Sequence, residues 1–203
     1  KLTEEQDKSL EEKDKYSKSF GGFNTYEEFE RFIKRTKNKS IYQLINKDIV
    51  KFYWDFDKKD FKNNEYCSEE ELEDIISKII NGIQYCFNTI IDRKDIIVET
   101  DKNIGKYKSI HIIINNHKVN KSEIKLLNTY LLENGVGLDN SVYSQYRQFR
   151  MLGMKKIYKS EDNTLINHTS NYYIDFKSHI ITDTNECKLV NMIDNIKEDL
   201  VKK

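Results

Sequence analysis

Val50-Lys51-Phe52-Tyr53-Trp54-Asp55-Phe56-Asp57 alternates large apolar residues with polar ones and ends in two carboxylates. Side chains two apart share a face of a strand. The stretch is therefore predicted as a strand. Val50, Phe52, Trp54 and Phe56 enter a core, while Lys51, Tyr53, Asp55 and Asp57 point the other way. Two acids on one face of a strand anchored through its opposite face form a rigid platform for a divalent cation. Hard cations such as Mg²⁺ take carboxylate oxygens and leave room for substrate phosphates. Two metals about 3.5–4 Å apart can clamp an in-line phosphoryl displacement. The plainer alternative is an edge strand with a solvated acidic end.

Working outward, Asn24-Thr25 caps a helix expected over about Tyr26 to Lys37, with Phe29, Phe32 and Ile33 on one face. Ile41 to Ile45 reads as a short strand, and Asn46-Lys47-Asp48 as the turn into the strand that ends at Asp57. Ser68 and Glu71 form a capping-box pattern. It opens a helix with Leu72, Ile75, Ile76, Ile79, Ile80, Ile83 and Phe87 at helical spacing. Asp95 to Thr100 and Tyr107 to Asn115 read as a hairpin around the turn Lys102 to Gly105. An amphipathic helix follows from Asn120 to Leu132 and ends before Gly135 and Gly137. Strands around Arg147 to Leu152 and Tyr172 to Phe176, and a helix from about Leu189 to Val201, complete the pattern. The order is that of an α+β fold, with strands paired as hairpins and helices on one face. Lys1 to Lys18 is almost wholly charged and reads as a solvated helix or frayed arm. The expected organisation is a charged N-terminal arm over 1–22 and one domain over 23–203.

The length of 203 residues suits one domain, and 13 Tyr and 10 Phe supply large apolar surfaces to a chain that is 33% charged. Basic and acidic residues number 34 each, so the net charge of zero does not steer the whole molecule toward nucleic acid. Such binding needs a local patch. Glu69, Glu70, Glu71, Glu73 and Asp74 gather in one region, and Arg147, Arg150, Lys155, Lys156 and Lys159 in another. No apolar run approaches the length of a transmembrane helix, so no membrane is expected. Cys67, Cys86 and Cys187 form no CxxC pair, which argues against zinc and for reduced thiols in an intracellular protein. The chain shows no signal peptide and starts with Lys1 rather than Met, as expected of a segment of a longer protein.

Two further constellations bear on the acidic strand. In Tyr107 to Ile114, period two places Tyr107, Ser109 and His111 on one face and Ile110, Ile112 and Ile114 on the other. A hydroxyl and an imidazole two apart can both donate to a phosphate, and the histidine can also shuttle protons. The alternative is a half-buried histidine satisfied by a carbonyl. Asp139 follows a Gly-rich turn and could add a third carboxylate; Arg147, Arg150, Lys155 and Lys156 offer forks and point charges for polyphosphate. Singly, Asp139 reads as a turn residue or cap, and the basic run as a solvated face. Together, metal carboxylates, phosphate donors and cations are what nucleotidyl transfer requires.

Asp-x-Asp, then Ser-x-His, then Asp-x-x-x-Tyr at Asp139 to Tyr143, then Arg-x-Phe-Arg and a lysine beyond resembles the archaeo-eukaryotic primase superfamily. The likeness is nearest to the primase domains of large DNA virus primase–helicases and to eukaryotic primase–polymerases, and spans about Tyr26 to Lys156. It implies an α+β primase catalytic core, with a modified RNA-recognition-like antiparallel sheet and a smaller α/β module. It implies DNA-template-directed primer synthesis from nucleoside triphosphates with Mg²⁺ or Mn²⁺. Carried over by position, Asp55, Asp57 and Asp139 are the catalytic metal ligands. Ser109, His111, Lys108, Arg150 and Lys156 bind the nucleotide, and Arg147 lies near nucleotide or template. Lys155 and Lys159 face nucleic acid, and Tyr143 is structural. The implied partners are single-stranded DNA, nucleoside triphosphates and a helicase domain, C-terminal to Lys203, or other replication proteins. The implied location is the cytoplasm of an infected cell for a viral protein and otherwise the nucleus.

The chain departs from the pattern in three places. Many relatives carry a lysine where Tyr107 stands, here flanked by Lys106 and Lys108. The zinc-binding cysteines found beyond the core of several relatives are not seen. Gly105-Lys106 lacks the upstream glycine and the following Ser or Thr of a phosphate-binding P-loop. A polymerase-fold module that only binds template or extends primers, and a non-catalytic scaffold for a helicase, are the alternatives. A metal nuclease would leave Ser-x-His and Arg-x-Phe-Arg without a purpose.

Overall fold

A computed structural model describes residues 22–35, 40–154, 164–168 and 176–202. The expected N-terminal arm, Lys155, Lys156 and Lys159, and residues 172–175 of the expected strand lie outside the described residues. The chain divides into two units, Lys1–Lys37 and Asn38–Lys203. In the first, α1 (Tyr26–Arg35) is opened by Thr25, whose hydroxyl accepts the Glu28 N–H at 3.2 Å. Phe23 packs on Phe29 and Phe32 with ring centroids 5.2 Å apart.

The second unit runs β1 (Tyr42–Ile45), β2 (Ile49–Asp57), α2 (Glu69–Phe87), β3 (Ile96–Thr100), β4 (Ser109–Asn120), α3 (Lys121–Glu133), β5 (Arg147–Arg150), β6 (Ile166–Asn167), β7 (Lys188–Leu189) and α4 (Asp194–Val201). It is a mixed α+β unit. Its main sheet has the order β2-β4-β3-β6 with antiparallel neighbours, and β7 adds to β4 in parallel. β1 and β5 form a separate antiparallel pair. Among the described residues, no helix is long and apolar enough to cross a membrane.

The core follows from the alternation in β2 and the helical spacing in α2. Phe52, Trp54 and Phe56 are buried with Ile110, Ile112 and Ile114 of β4 and with Leu72, Ile76, Ile79 and Ile83 of α2. Phe52 stacks on Trp54 and meets the edge of Phe87 at 5.3 Å. Burying each such ring contributes about 1.5–3 kcal/mol. Ser68 caps α2 by accepting the Glu71 N–H, but the Glu71 carboxylate takes the Lys62 N–H instead of closing the box.

The opposite face of β2 is also covered. Lys51 and Tyr53 are buried, and Tyr53 lies against Tyr143 and the edge of Phe149 from β5, at 5.0 and 5.4 Å. Exposure returns at Asp55 and Asp57.

Four boundaries differ from the sequence pattern. β4 runs on to Asn120, because its register with β2 shifts between Lys51 and Phe52. Asn115, Asn116 and His117 have no partner in β2, and Asn116 takes a left-handed φ of 62°, a conformation asparagine tolerates. β5 stops at Arg150, and Gly153 then turns with φ 77°. The C-terminal helix begins at Asp194 rather than Leu189. The residues before it stay extended because the sheet takes their hydrogen bonds: Val190 N–H donates to the Lys118 carbonyl at 2.9 Å. Phe176, expected to end a strand, opens a 3₁₀ turn through His179.

Candidate active site

Antiparallel pairing brings the two leading motifs side by side. Asp55 lies opposite His111, and Asp57 opposite Ser109. The register is held at the β3–β4 turn by Asp101. Its carboxylate accepts the Lys108 N–H and the Asn103 side-chain amide, and its N–H donates to the Ser109 carbonyl. Glu99 of β3 lies opposite His111 from the other side. The centre of the site is therefore three adjacent strands carrying Asp55, His111 and Glu99 in one row.

Arg150 reaches this row from β5. Its side chain is buried, and Nη2 donates to Ser109 Oγ at 2.9 Å. Burial lowers its affinity for its proton, and the nearby carboxylates of Asp55, Asp57 and Glu99 oppose that effect. His111 is 2% exposed, its ring tilted at 38° to Phe149 with centroids 4.1 Å apart, with Nε2 3.4 Å from Asp55 and Nδ1 3.0 Å from Glu99. Burial alone would lower its pKa. The Asp55 charge and the hydrogen bonds to Asp55 and Glu99 outweigh burial and raise it. Burial pushes the Glu99 carboxyl up, yet hydrogen bonds from His111 and His179 hold it below the usual range.

Asp139 arrives at the end of β2 by a wrapped segment. Gly137 sits so close to the 58–60 turn that a Cβ there would be 2.2 Å from the Asp60 carbonyl oxygen. Beyond it, Asn140 accepts from Asn128 at 2.7 Å, and Asn128 accepts from the Trp54 indole at 2.9 Å. Tyr53 donates to the Val142 carbonyl at 3.0 Å, and Tyr143 donates back to the Tyr53 carbonyl at 2.7 Å. Trp54 and Tyr53 point to opposite faces, so residues 140–143 pass around the outer edge of β2 and are tied on both sides. The Asp139 carboxylate accepts from Ser141 N–H and is ion-paired with Lys59. The Lys59 hydrogen bond lowers its pKa to about 2. Asp60 accepts the Asp57 N–H at 2.9 Å and carries a pKa raised by burial.

Asp55 and Asp57 suit a hard cation: both are acids on adjacent sites of one strand face, partly open to solvent. Mg²⁺ commonly takes one or two carboxylates and completes its shell with water and phosphate oxygens. Among the described residues, no three acids, histidines or cysteines gather closely enough to hold a metal together. The Asp139 carboxylate, at the same end of β2, is engaged by Lys59.

The other sequence candidates divide. Ser109, His111 and Arg150 converge with the acids. Arg147 is half-buried and its charge acts on Tyr53. Lys108 is half-buried at the β3–β4 turn. Tyr107 is buried, and its hydroxyl donates to Glu69 and lies 3.2 Å from His168 Nδ1. Glu99, His179, Lys59 and Gly137 were not anticipated. Glu99 left one signal, a lone acid in the apolar run Ile96-Ile97-Val98-Glu99. Gly137 left its place in the Gly-rich turn before Asp139, and Lys59 and His179 left none, because their roles come from contacts distant in sequence. No protein-family model matches this chain, and no curated protein matches it.

Proposed function

We propose that this domain performs DNA-template-directed primer synthesis, in which a 3′-hydroxyl attacks the α-phosphate of a nucleoside triphosphate and pyrophosphate leaves. The observation that carries the reading is the paired register of Asp55 with His111 and Asp57 with Ser109, with Arg150 bonded to Ser109. In that register two carboxylates that could hold a cation stand beside candidate donors for phosphate oxygens, in two neighbouring rows of one sheet face. Mg²⁺ or Mn²⁺ held by Asp55 and Asp57, with Asp139 completing the site, would supply charge stabilisation to the reacting oxygens. Ser109, His111 and Arg150 would orient the triphosphate and balance its charge from a buried wall, where electrostatic interactions are stronger than in water. The order β2-α2-β3-β4-α3, with the first of these strands beside the third, also suits an RNA-recognition-like sheet.

The test is synthesis on single-stranded DNA by wild type and by the folded double variant Asp55→Ala/Asp57→Ala. Loss of all product in the variant is expected, and undiminished synthesis would refute the assignment. A module that extends primers without starting them is the second reading. It is favoured by Tyr107, whose hydroxyl is occupied by Glu69 where relatives of the resembled family offer a lysine. Extension of a supplied primer without de novo product separates the two. Template binding should weaken steeply with salt, because a net-neutral domain holds DNA through local phosphate contacts.

A further inference from the structure

Glu99 is 1% exposed, and both of its oxygens meet imidazoles. Oε2 is 3.0 Å from Nδ1 of His111, and Oε1 is 2.6 Å from Nδ1 of His179. A buried carboxylate is costly unless such partners compensate it, and an apolar residue of similar size would carry no such cost. The arrangement is also held from outside. Gln43 of β1 donates to the His179 carbonyl and accepts the Ile181 N–H, at 3.2 and 2.8 Å. Lys51 of β2 donates to the Ser178 carbonyl at 3.0 Å. Two elements distant in sequence thus fix where His179 meets Glu99.

We propose that Glu99 is a positioning residue for the incoming triphosphate: it accepts from Nδ1 of His111 and so turns Nε2 toward Asp55 and the phosphates, while His179 stops the Glu99 carboxylate from rotating. This deepens the nucleotidyl-transfer reading and rests on it. Among the described residues, the charged side chains that meet His111 are Asp55 from β2 and Glu99 from β3, with Phe149 of β5 against the ring face and Arg150 bonded to Ser109. Of these, Glu99 alone holds the Nδ1 edge. Metal-binding imidazoles commonly donate their other nitrogen to a carboxylate, and losing that partner costs about 10–100-fold in metal affinity or activity; an imidazole that binds phosphate depends on its partner's orientation in the same way.

Glu99→Gln keeps the shape but leaves a single oxygen for two imidazoles. In steady-state synthesis its KM for the nucleoside triphosphate should rise about 10-fold or more, with kcat within about two-fold of wild type. His179→Gln should produce a smaller rise of the same kind. A residue that only supports the fold would instead lower kcat through lost active protein and leave KM unchanged. Spectra of ¹⁵N-histidine-labelled wild type should show His111 Nδ1 protonated and hydrogen-bonded, with that signal displaced in E99Q. If E99Q does not fold, Glu99→Asp, which withdraws the carboxylate by one methylene, carries the same test. An unchanged nucleotide KM in a folded variant, or an unprotonated Nδ1 in wild type, overturns the proposal. Failure of wild type to bind any nucleoside triphosphate would remove the nucleotidyl-transfer reading itself and this role with it, so the two failures are distinguishable.

Discussion

Substituting Gly137 by alanine should damage the candidate site without touching any of its functional groups. The new Cβ would fall 2.2 Å from the Asp60 carbonyl oxygen, 3.0 Å from its carbon and 3.2 Å from the Asp60 Cα. All three are backbone atoms, so no rotamer change relieves the clash. A carbon–oxygen contact needs roughly 1 Å more, which the two segments must supply by moving apart. Overpacking of this kind typically costs about 1–3 kcal/mol of stability. The displaced segment carries Asp139 and its link to Lys59. Misplacing a reacting group by about 1 Å can cost on the order of 100-fold in rate. Gly135→Ala is the control: its φ of 75° makes alanine strained, but the nearest atom is the Lys78 Nζ at 3.9 Å, so nothing is pushed. Both variants should lower the urea midpoint, while primer synthesis per folded molecule should collapse only in Gly137→Ala. Wild-type stability and synthesis in Gly137→Ala would refute the reasoning, because they would mean the segment does not pack against Asp60 as described.

Tyr143→Phe removes a buried donor to the Tyr53 carbonyl and should cost about 1–3 kcal/mol in urea unfolding; a cost near zero would mean that residues 140–143 are not tied to β2. Tyr146 is 61% exposed with a left-handed φ of 57°, so Tyr146→Gly should relieve about 1–2 kcal/mol of strain and raise the unfolding midpoint; a fall in the midpoint would count against that strain. The cysteines should be silent toward thiol reagents in the native state, because burial pushes Cys67 up to about 12 and Cys86 up to about 11 and raises Cys187. At pH 8 the Cys67 thiolate fraction is then roughly 1 in 10,000, against about a quarter for an ordinary thiol, so labelling should rise with pH and become rapid on unfolding. Fast labelling of native protein at pH 8 would show these thiols to be open.

The α+β character, the β2 strand and the α2 helix were legible in the residues because burial on one face prints a local period. Phe52, Trp54 and Phe56 repeat every second position, and Leu72, Ile76, Ile79 and Ile83 follow helical spacing. The C-terminal stretch misled for the same reason. The residues from Val190 to Ile193 suggest a helix, but long-range hydrogen bonds to β4 and α3 hold Val190 and Met192 extended.

The chemical character of the candidate site was likewise written locally, as Asp55 with Asp57 and Ser109 with His111. Their meeting was not. It depends on which residue of β4 pairs with which residue of β2, and the turn at Asp101 and the packing of both sheet faces set that register. Tertiary structure alone decided that Tyr107 turns to Glu69, that Lys59 holds Asp139, and that Gly137 is small for want of space. It also decided that Glu99 joins His111 to a histidine 80 residues away. A chain can advertise which face each residue occupies, but contacts between distant segments exist only once packing has chosen them.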